Sequence, residues 1–146
     1  GDFVEATSDH AYSLQMALDS SFRDAKTDIG TLATKRQKTA SILVWNYHDV
    51  DIKGEKTQVS IEIAGIKASS ATLIHYRIDD EHSNSYELWK KMGSPKEPTS
   101  QQISELEKAG QLTQVNKPQK VSISKGHLKL ITELPRQAVD LFQVVW

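Results

Sequence analysis

The sequence has no cysteine, which excludes disulfide staples and thiolate chemistry. That absence leaves the compartment open, because many exported proteins also lack cysteine. An excess of one charge is lacking too: 18 Lys and Arg stand against 19 Asp and Glu, a formal net charge of −1. This removes the electrostatic case for nucleic acid or an anionic membrane as a partner. No apolar run approaches the ~20 residues of a membrane span, and no signal-peptide pattern opens the chain. No internal repeat or low-complexity tract is present. The opening GDFVEAT reads like the interior of a protein, so a fragment of a longer polypeptide is expected. The 146 residues suit a single domain, 1–146, that can bury a useful core. They fall well short of the ~250 of a (β/α)8 barrel.

What is present is mostly strand pattern. Phe3–Thr7 is compatible with a strand and Ala11–Leu18 with a helix, while polar Ser20–Asp28 reads as a loop. From Ile29 the pattern is firmer. Ile29–Lys35 and Thr39–His48 flank polar Arg36–Lys38 and predict a hairpin. Within Ile42–Tyr47 both faces are apolar, Ile42 and Val44 on one and Leu43, Trp45 and Tyr47 on the other. This predicts a central strand covered on both sides. Lys56–Ala64 alternates, with Val59, Ile61 and Ile63 inward and Gln58, Ser60 and Glu62 outward. Gln119–Ser124 and His127–Leu134 predict a hairpin about Lys125–Gly126, and Ala138–Trp146 a last strand. Six to eight strands at hairpin spacing favour an all-β antiparallel sandwich.

The stretch 71–95, ATLIHYRIDDEHSNSYELWKKMGSP, breaks the β pattern. It begins as a strand, with Thr72, Ile74, Tyr76 and Ile78 alternating with Leu73, His75, Arg77 and Asp79. After an acidic turn, Ser83 or Asn84 can cap a helix carrying Tyr86, Leu88, Trp89 and Met92, stopped by Gly93 and Pro95. Thr99 with Gln102 fits a capping box for a second helix to Ala109, with Gly110 as its stop. Val115–Pro118 is then a connector. A sandwich interrupted by a short two-helix insertion, about 84–109, is therefore predicted.

HYRIDDEHSNSYELWKKMGSP, with SILVWNYHDVD (41–51) before it and LPRQAVDLFQVVW (134–146) after it, resembles the C-terminal region of glycoside hydrolase family 39. That family contains β-xylosidases and α-L-iduronidases, and the resemblance runs over nearly the whole chain, best from Ile29 onward. It implies an accessory β-sandwich that supports the catalytic barrel of the same polypeptide, which would be its partner. For the parent it implies retaining hydrolysis by two barrel glutamates without a cofactor, and it favours a β-xylosidase. No part of this chain matches the motifs of those glutamates, so no catalytic residue is carried over and the chain alone should be inactive. Any xyloside contact would come through the parent.

The remaining constellations are weaker. Asp49, Asp51 and Glu55 could offer oxygens to calcium, but D-V-D lacks the ligand-and-glycine spacing of a calcium loop, which favours a solvated loop. The histidines His10, His48, His75, His82 and His127 show no pair at i, i+4, so no metal site is predicted. Arg77, Asp79, Asp80, His82, Ser83, Asn84 and Tyr86 have two compatible readings. One is structural: an ion pair and a helix cap pinning a turn. The other is a contact surface toward the barrel or the rim of its cleft, formed by Arg77, Asp79, His82, Asn84, Tyr86 and Trp89. Tyr86 and Trp89, three apart on one helical face, read as packing anchors rather than a sugar platform. If Trp89 packs within the domain, its loss should cost about 3–5 kcal/mol. Two other function classes remain: an independent carbohydrate-binding module, which would expose coplanar aromatics, and a fibronectin-type interaction module supported by architecture alone.

Overall fold

The structure is a computed structural model and describes residues 1–20, 27–50 and 54–146. Among these it forms nine strands and three helices: β1 (Asp2–Val4), α1 (Leu14–Ser20), β2 (Asp28–Arg36), β3 (Thr39–Tyr47), β4 (Thr57–Ile63), β5 (Ser70–Ile78), α2 (Ser85–Lys91), α3 (Ser100–Ala109), β6 (Thr113–Gln114), β7 (Gln119–Ser122), β8 (Leu128–Leu134) and β9 (Val139–Val145). Most of the loop expected at 20–28 lies outside the described residues, as does Asp51 of the candidate calcium loop.

The strands form two antiparallel sheets. The larger has seven strands in the order β1-β2-β3-β9-β5, with β6 and β7 both pairing β5. The smaller is β4 paired with β8. They pack as a sandwich over one core: Ile29, Ile42, Val44, Phe142 and Val144 from the large sheet meet Leu128, Leu130 and Leu134 from the small one. The alternation of β4 holds as expected, with Val59, Ile61 and Ile63 packed against the core. The β2–β3 hairpin also forms, in register from Asp28↔Tyr47 to Arg36↔Thr39.

The hairpin predicted at 119–134 does not form. Ser124 and His127 make one isolated bridge around the turn. Beyond it β7 joins β5 in the large sheet and β8 joins β4 in the small one. The turn residues Lys125 (φ 50°) and Gly126 (φ 80°) reverse the chain as a hairpin turn would. The strands then separate, because Leu128, Leu130 and Leu134 bury their side chains against the facing sheet. The connector reading of 115–118 needs one addition: Thr113 and Gln114, just before it, pair with Arg77 and Tyr76.

The predicted cover on both faces of β3 is also corrected. Its even residues are buried: Ala40 8%, Ile42 5%, Val44 2% and Asn46 1% exposed. Leu43 and Trp45 are only partly buried, and Tyr47 is exposed. No described residue closes over that side as the small sheet closes over the other.

Candidate functional site

In β5 the two alternating sets take opposite sides of the large sheet. Leu73, His75, Arg77 and Asp79 point toward the small sheet, and Thr72, Ile74, Tyr76 and Ile78 point away from it. The polar set is thus inside. Arg77 stands opposite Asp140 on β9. Its guanidinium forks onto that carboxylate, Nε 2.6 Å from Oδ1 and Nη2 2.8 Å from Oδ2. Nη2 also donates to Thr132 Oγ1 at 3.0 Å and the Glu133 carbonyl at 2.9 Å, both on β8. The pair therefore ties the two sheets together with charge-assisted bonds. Thr132 donates its hydroxyl to Asp140 Oδ2 at 3.1 Å.

Asp140 is fully buried. Burial acts to raise its pKa, but the hydrogen bonds from Arg77, together with the nearby His75 ring, outweigh it and hold the carboxyl below its ordinary value. The same hydrogen bond raises the pKa of Arg77 against the opposing effect of burial. His75 stacks on Phe142, ring centroids 4.3 Å apart. Its Nε2 lies 3.0 Å from Asp140 Oδ2 without making a hydrogen bond.

The network continues into the turn after β5. Asp79 Oδ2 lies 3.9 Å from Arg77 Nε. Its Oδ1 accepts the amides of Glu81 and His82 and faces His82 Nδ1, each at 2.8 Å. Burial would raise the Asp79 pKa, but these bonds prevail and lower it. Asn84 donates to the Asp79 carbonyl at 2.9 Å and accepts the Glu87 amide at 3.1 Å, capping α2. Arg77, Asp79, His82 and Asn84 thus form one chain of bonds from the sandwich interior to the root of the insertion.

The insertion has little core of its own. No residue of α2 or α3 is buried. The helices hold together by capping and close approach. Thr99 and Gln102 make the predicted reciprocal box. Ser85 donates to the Leu106 carbonyl at 2.8 Å. Gly110 does not stop α3 by a left-handed turn, since its φ is −81°. A Cβ there would lie 2.4 Å from Ser85 Oγ, so the glycine serves the close approach of the two helices. Trp89 stacks with Tyr86, centroids 5.7 Å apart, and donates Nε1–H to the Pro95 carbonyl at 3.0 Å. These contacts lie within the insertion, while Tyr86 stays 57% exposed with Lys90 over its ring.

The sequence reading did not single out the outer face of the large sheet. Trp45, Val139 and Ile78 lie side by side across β3, β9 and β5, and Leu43, Leu141 and Tyr76 form the next row. Leu32, Tyr47, Ile78 and Val145 on this face are exposed, and its other apolar residues are only partly buried. Trp45 lies across from Gly30, where a Cβ would meet the indole ring at 2.3 Å. The ring therefore lies over β2, away from Tyr76. The available signal was the second apolar set in Ile42–Tyr47.

Known proteins place this architecture. No curated protein sequence matches the chain. Similar folds occur in a family 39 enzyme from Xanthomonas axonopodis pv. citri (TM-score 0.68, 14% identity, covering 83% of this chain and 28% of that one). They occur too in a bacterial orthologue of human α-L-iduronidase (0.64, 22%, covering 82% and 22%). A third is a monomeric β-xylosidase from Caulobacter crescentus CB15 (0.64, 15%, covering 79% and 26%). At these identities the likeness shows the fold, and this chain spans only 22% to 28% of the length of each enzyme. The model of glycosyl hydrolases family 39 matches residues 10–127, most of the two-sheet framework and the whole helical insertion. The chain belongs to glycosyl hydrolases family 39.

Proposed function

We propose that this chain is a non-catalytic accessory domain of a larger family 39 glycosidase and that it docks on the catalytic barrel of the same polypeptide through the outer face of the seven-stranded sheet. One observation carries the reading: in β5 the polar set lies inside and the apolar set Ile74, Tyr76 and Ile78 lies outside, continuous with Trp45, Tyr47, Val139 and Leu141. An exposed apolar face of this extent marks a surface that another body covers. The insertion supplies a second contact, with Tyr86 and Trp89 at the barrel or the rim of its cleft. Arg77, Asp79, His82 and Asn84 serve that contact by fixing the root of the insertion.

For the parent, the family resemblance favours hydrolysis of terminal β-xylosides with retention of configuration. That chemistry uses two carboxyl groups roughly 5 Å apart, and both belong to the barrel. Nothing in it calls for a cofactor. The test is direct: the purified chain should not hydrolyse aryl β-xylosides. Turnover of about 1 s⁻¹ or more, in the range of enzymes, would overturn the assignment.

A second reading, a carbohydrate-binding module, draws support from Trp45, Tyr47 and Tyr76 sharing one uncovered face. A sugar platform needs neighbouring rings in one plane. Here Val139 and Leu141 stand between the β3 and β5 aromatics, and Trp45 leans onto Gly30. Calorimetry separates the two readings. Binding of xylo-oligosaccharides tighter than about 0.1 mM, or about −5.5 kcal/mol, would favour the binding module.

A further inference from the structure

Five ionisable side chains stand in a row from the inner face of β5 and β9 into the turn after β5: His75, Asp140, Arg77, Asp79 and His82. His75 Nε2 lies 3.0 Å from Asp140 Oδ2, and Arg77 Nε lies 2.6 Å from Asp140 Oδ1. Arg77 Nε is also 3.9 Å from Asp79 Oδ2, and His82 Nδ1 is 2.8 Å from Asp79 Oδ1. The two carboxylates are 0% and 8% exposed, and Arg77 is the one permanent cation of the row. With both rings neutral the row holds a surplus negative charge in a buried place, which is costly. With both rings protonated the signs alternate along its whole length.

The same stretch of β5 carries both roots of the helical insertion. The entry root is the turn from Asp79 to Asn84, held by the Asp79 carboxylate and carbonyl. At the exit root Thr113 and Gln114 pair with Arg77 and Tyr76, and the Val115 amide donates to the His75 carbonyl at 2.9 Å. Ser83 Oγ accepts the Thr113 amide at 2.9 Å and ties one root to the other. No residue of α2 or α3 is buried, so the insertion depends on these attachments.

We infer that the row is a proton-dependent clamp on the insertion, with His75 as its sensor. His75 Nε2 is buried and makes no hydrogen bond. A neutral imidazole can hold its single proton on Nδ1, which sets the Nε2 lone pair against a carboxylate oxygen. A protonated ring carries hydrogen on both nitrogens and donates to that oxygen. Proton uptake at His75 thus supplies the missing charge and the missing bond together, and it firms the β5 segment between the roots. Around the ring stand Asp140 and the stacked Phe142 from β9, and Arg77 from β5 itself. Thr132 from β8 bonds the same Asp140 Oδ2. His82 differs, because its ring is 32% exposed and its Nδ1–H can serve Asp79 in either state. The clamp concerns how the insertion is attached and stands whether or not the barrel docks.

Nitrogen-15 spectra of the imidazole rings and amide hydrogen exchange of the chain, between about pH 8 and pH 5.5, test it. His75 should take up a proton over this range. Opening of α2 and α3, corrected for the intrinsic exchange rate, should become at least about 5-fold rarer at the acid end, with β3 unchanged. His75→Gln, polar but not titrating, should remove that difference, and His82→Gln should retain it. A His75 ring that stays neutral throughout would overturn the inference, and this is read on the unaltered chain even where a variant does not fold. A pH response that survives His75→Gln would overturn it too, as would one lost in His82→Gln alone.

Discussion

Arg77 and Asp140 oppose each other across β5 and β9, and the guanidinium meets both carboxylate oxygens, at 2.6 and 2.8 Å. Asp140 has no exposure and the Arg77 side chain 12%. A pair this buried is costly to break from one side, because the remaining charge stays in a low-dielectric interior. Asp140→Ala should destabilise the chain by about 3–5 kcal/mol. Removing both charges together, as in Arg77→Met with Asp140→Leu, should cost far less than the sum of the two single changes. Denaturant unfolding of the four proteins checks this, and additive losses would contradict it.

The same acids set the response to pH. The folded-state pKa values of Asp140 and Asp79 are lowered, while both acids titrate near 3.9 in the unfolded chain. Between those values the unfolded state binds more protons, so stability rises with pH there. Their contribution is complete above about pH 4 and is lost as the pH falls through the folded values. Unfolding midpoints measured from pH 6 to pH 2 should drop below pH 4, and Asp140→Asn should flatten that drop.

Gly30 and Trp45 test the packing of the outer face. A methyl group at Gly30 occupies the space of the indole ring, 2.3 Å from its carbons. Gly30→Ala should lift Trp45 off β2, shift tryptophan emission to the red and cost about 1–3 kcal/mol. An unchanged spectrum would mean the ring does not lie where the structure puts it.

Much of the framework was legible because it depends on near neighbours in sequence. The β2–β3 hairpin, the alternation of β4, the Asn84 cap and the Thr99–Gln102 box are each decided within a few residues. Sheet membership was not. The turn at Lys125–Gly126 signals reversal but carries no information on whether β8 stays beside β7 or leaves for β4. In β5 both alternating sets were visible, yet only the position of Asp140, 63 residues away, decides that Arg77 faces inward. The outer face was misjudged for a related reason. Apolar side chains on both sides of β3 predict cover on both sides, and that cover is missing from the described residues.

The packing of Trp89 can be measured. The structure packs it on Tyr86 and Pro95 within an insertion that has no buried residue. Trp89→Ala should therefore cost about 1–2 kcal/mol, below the 3–5 kcal/mol of a core aromatic. The loss should be local. Hydrogen exchange should quicken in α2 and α3 and stay unchanged in β3 and β9.

The central claim is that the outer face of the large sheet is covered by the catalytic barrel. Hydroxyl-radical footprinting of the full-length polypeptide against the isolated chain measures that cover side chain by side chain. The account predicts that Tyr47, Tyr76 and Ile78 are labelled readily in the isolated chain and become protected in the full-length protein. Ile131, exposed on the outer side of the small sheet, should be far less affected. Equal labelling of Tyr47, Tyr76 and Ile78 in both samples would contradict it.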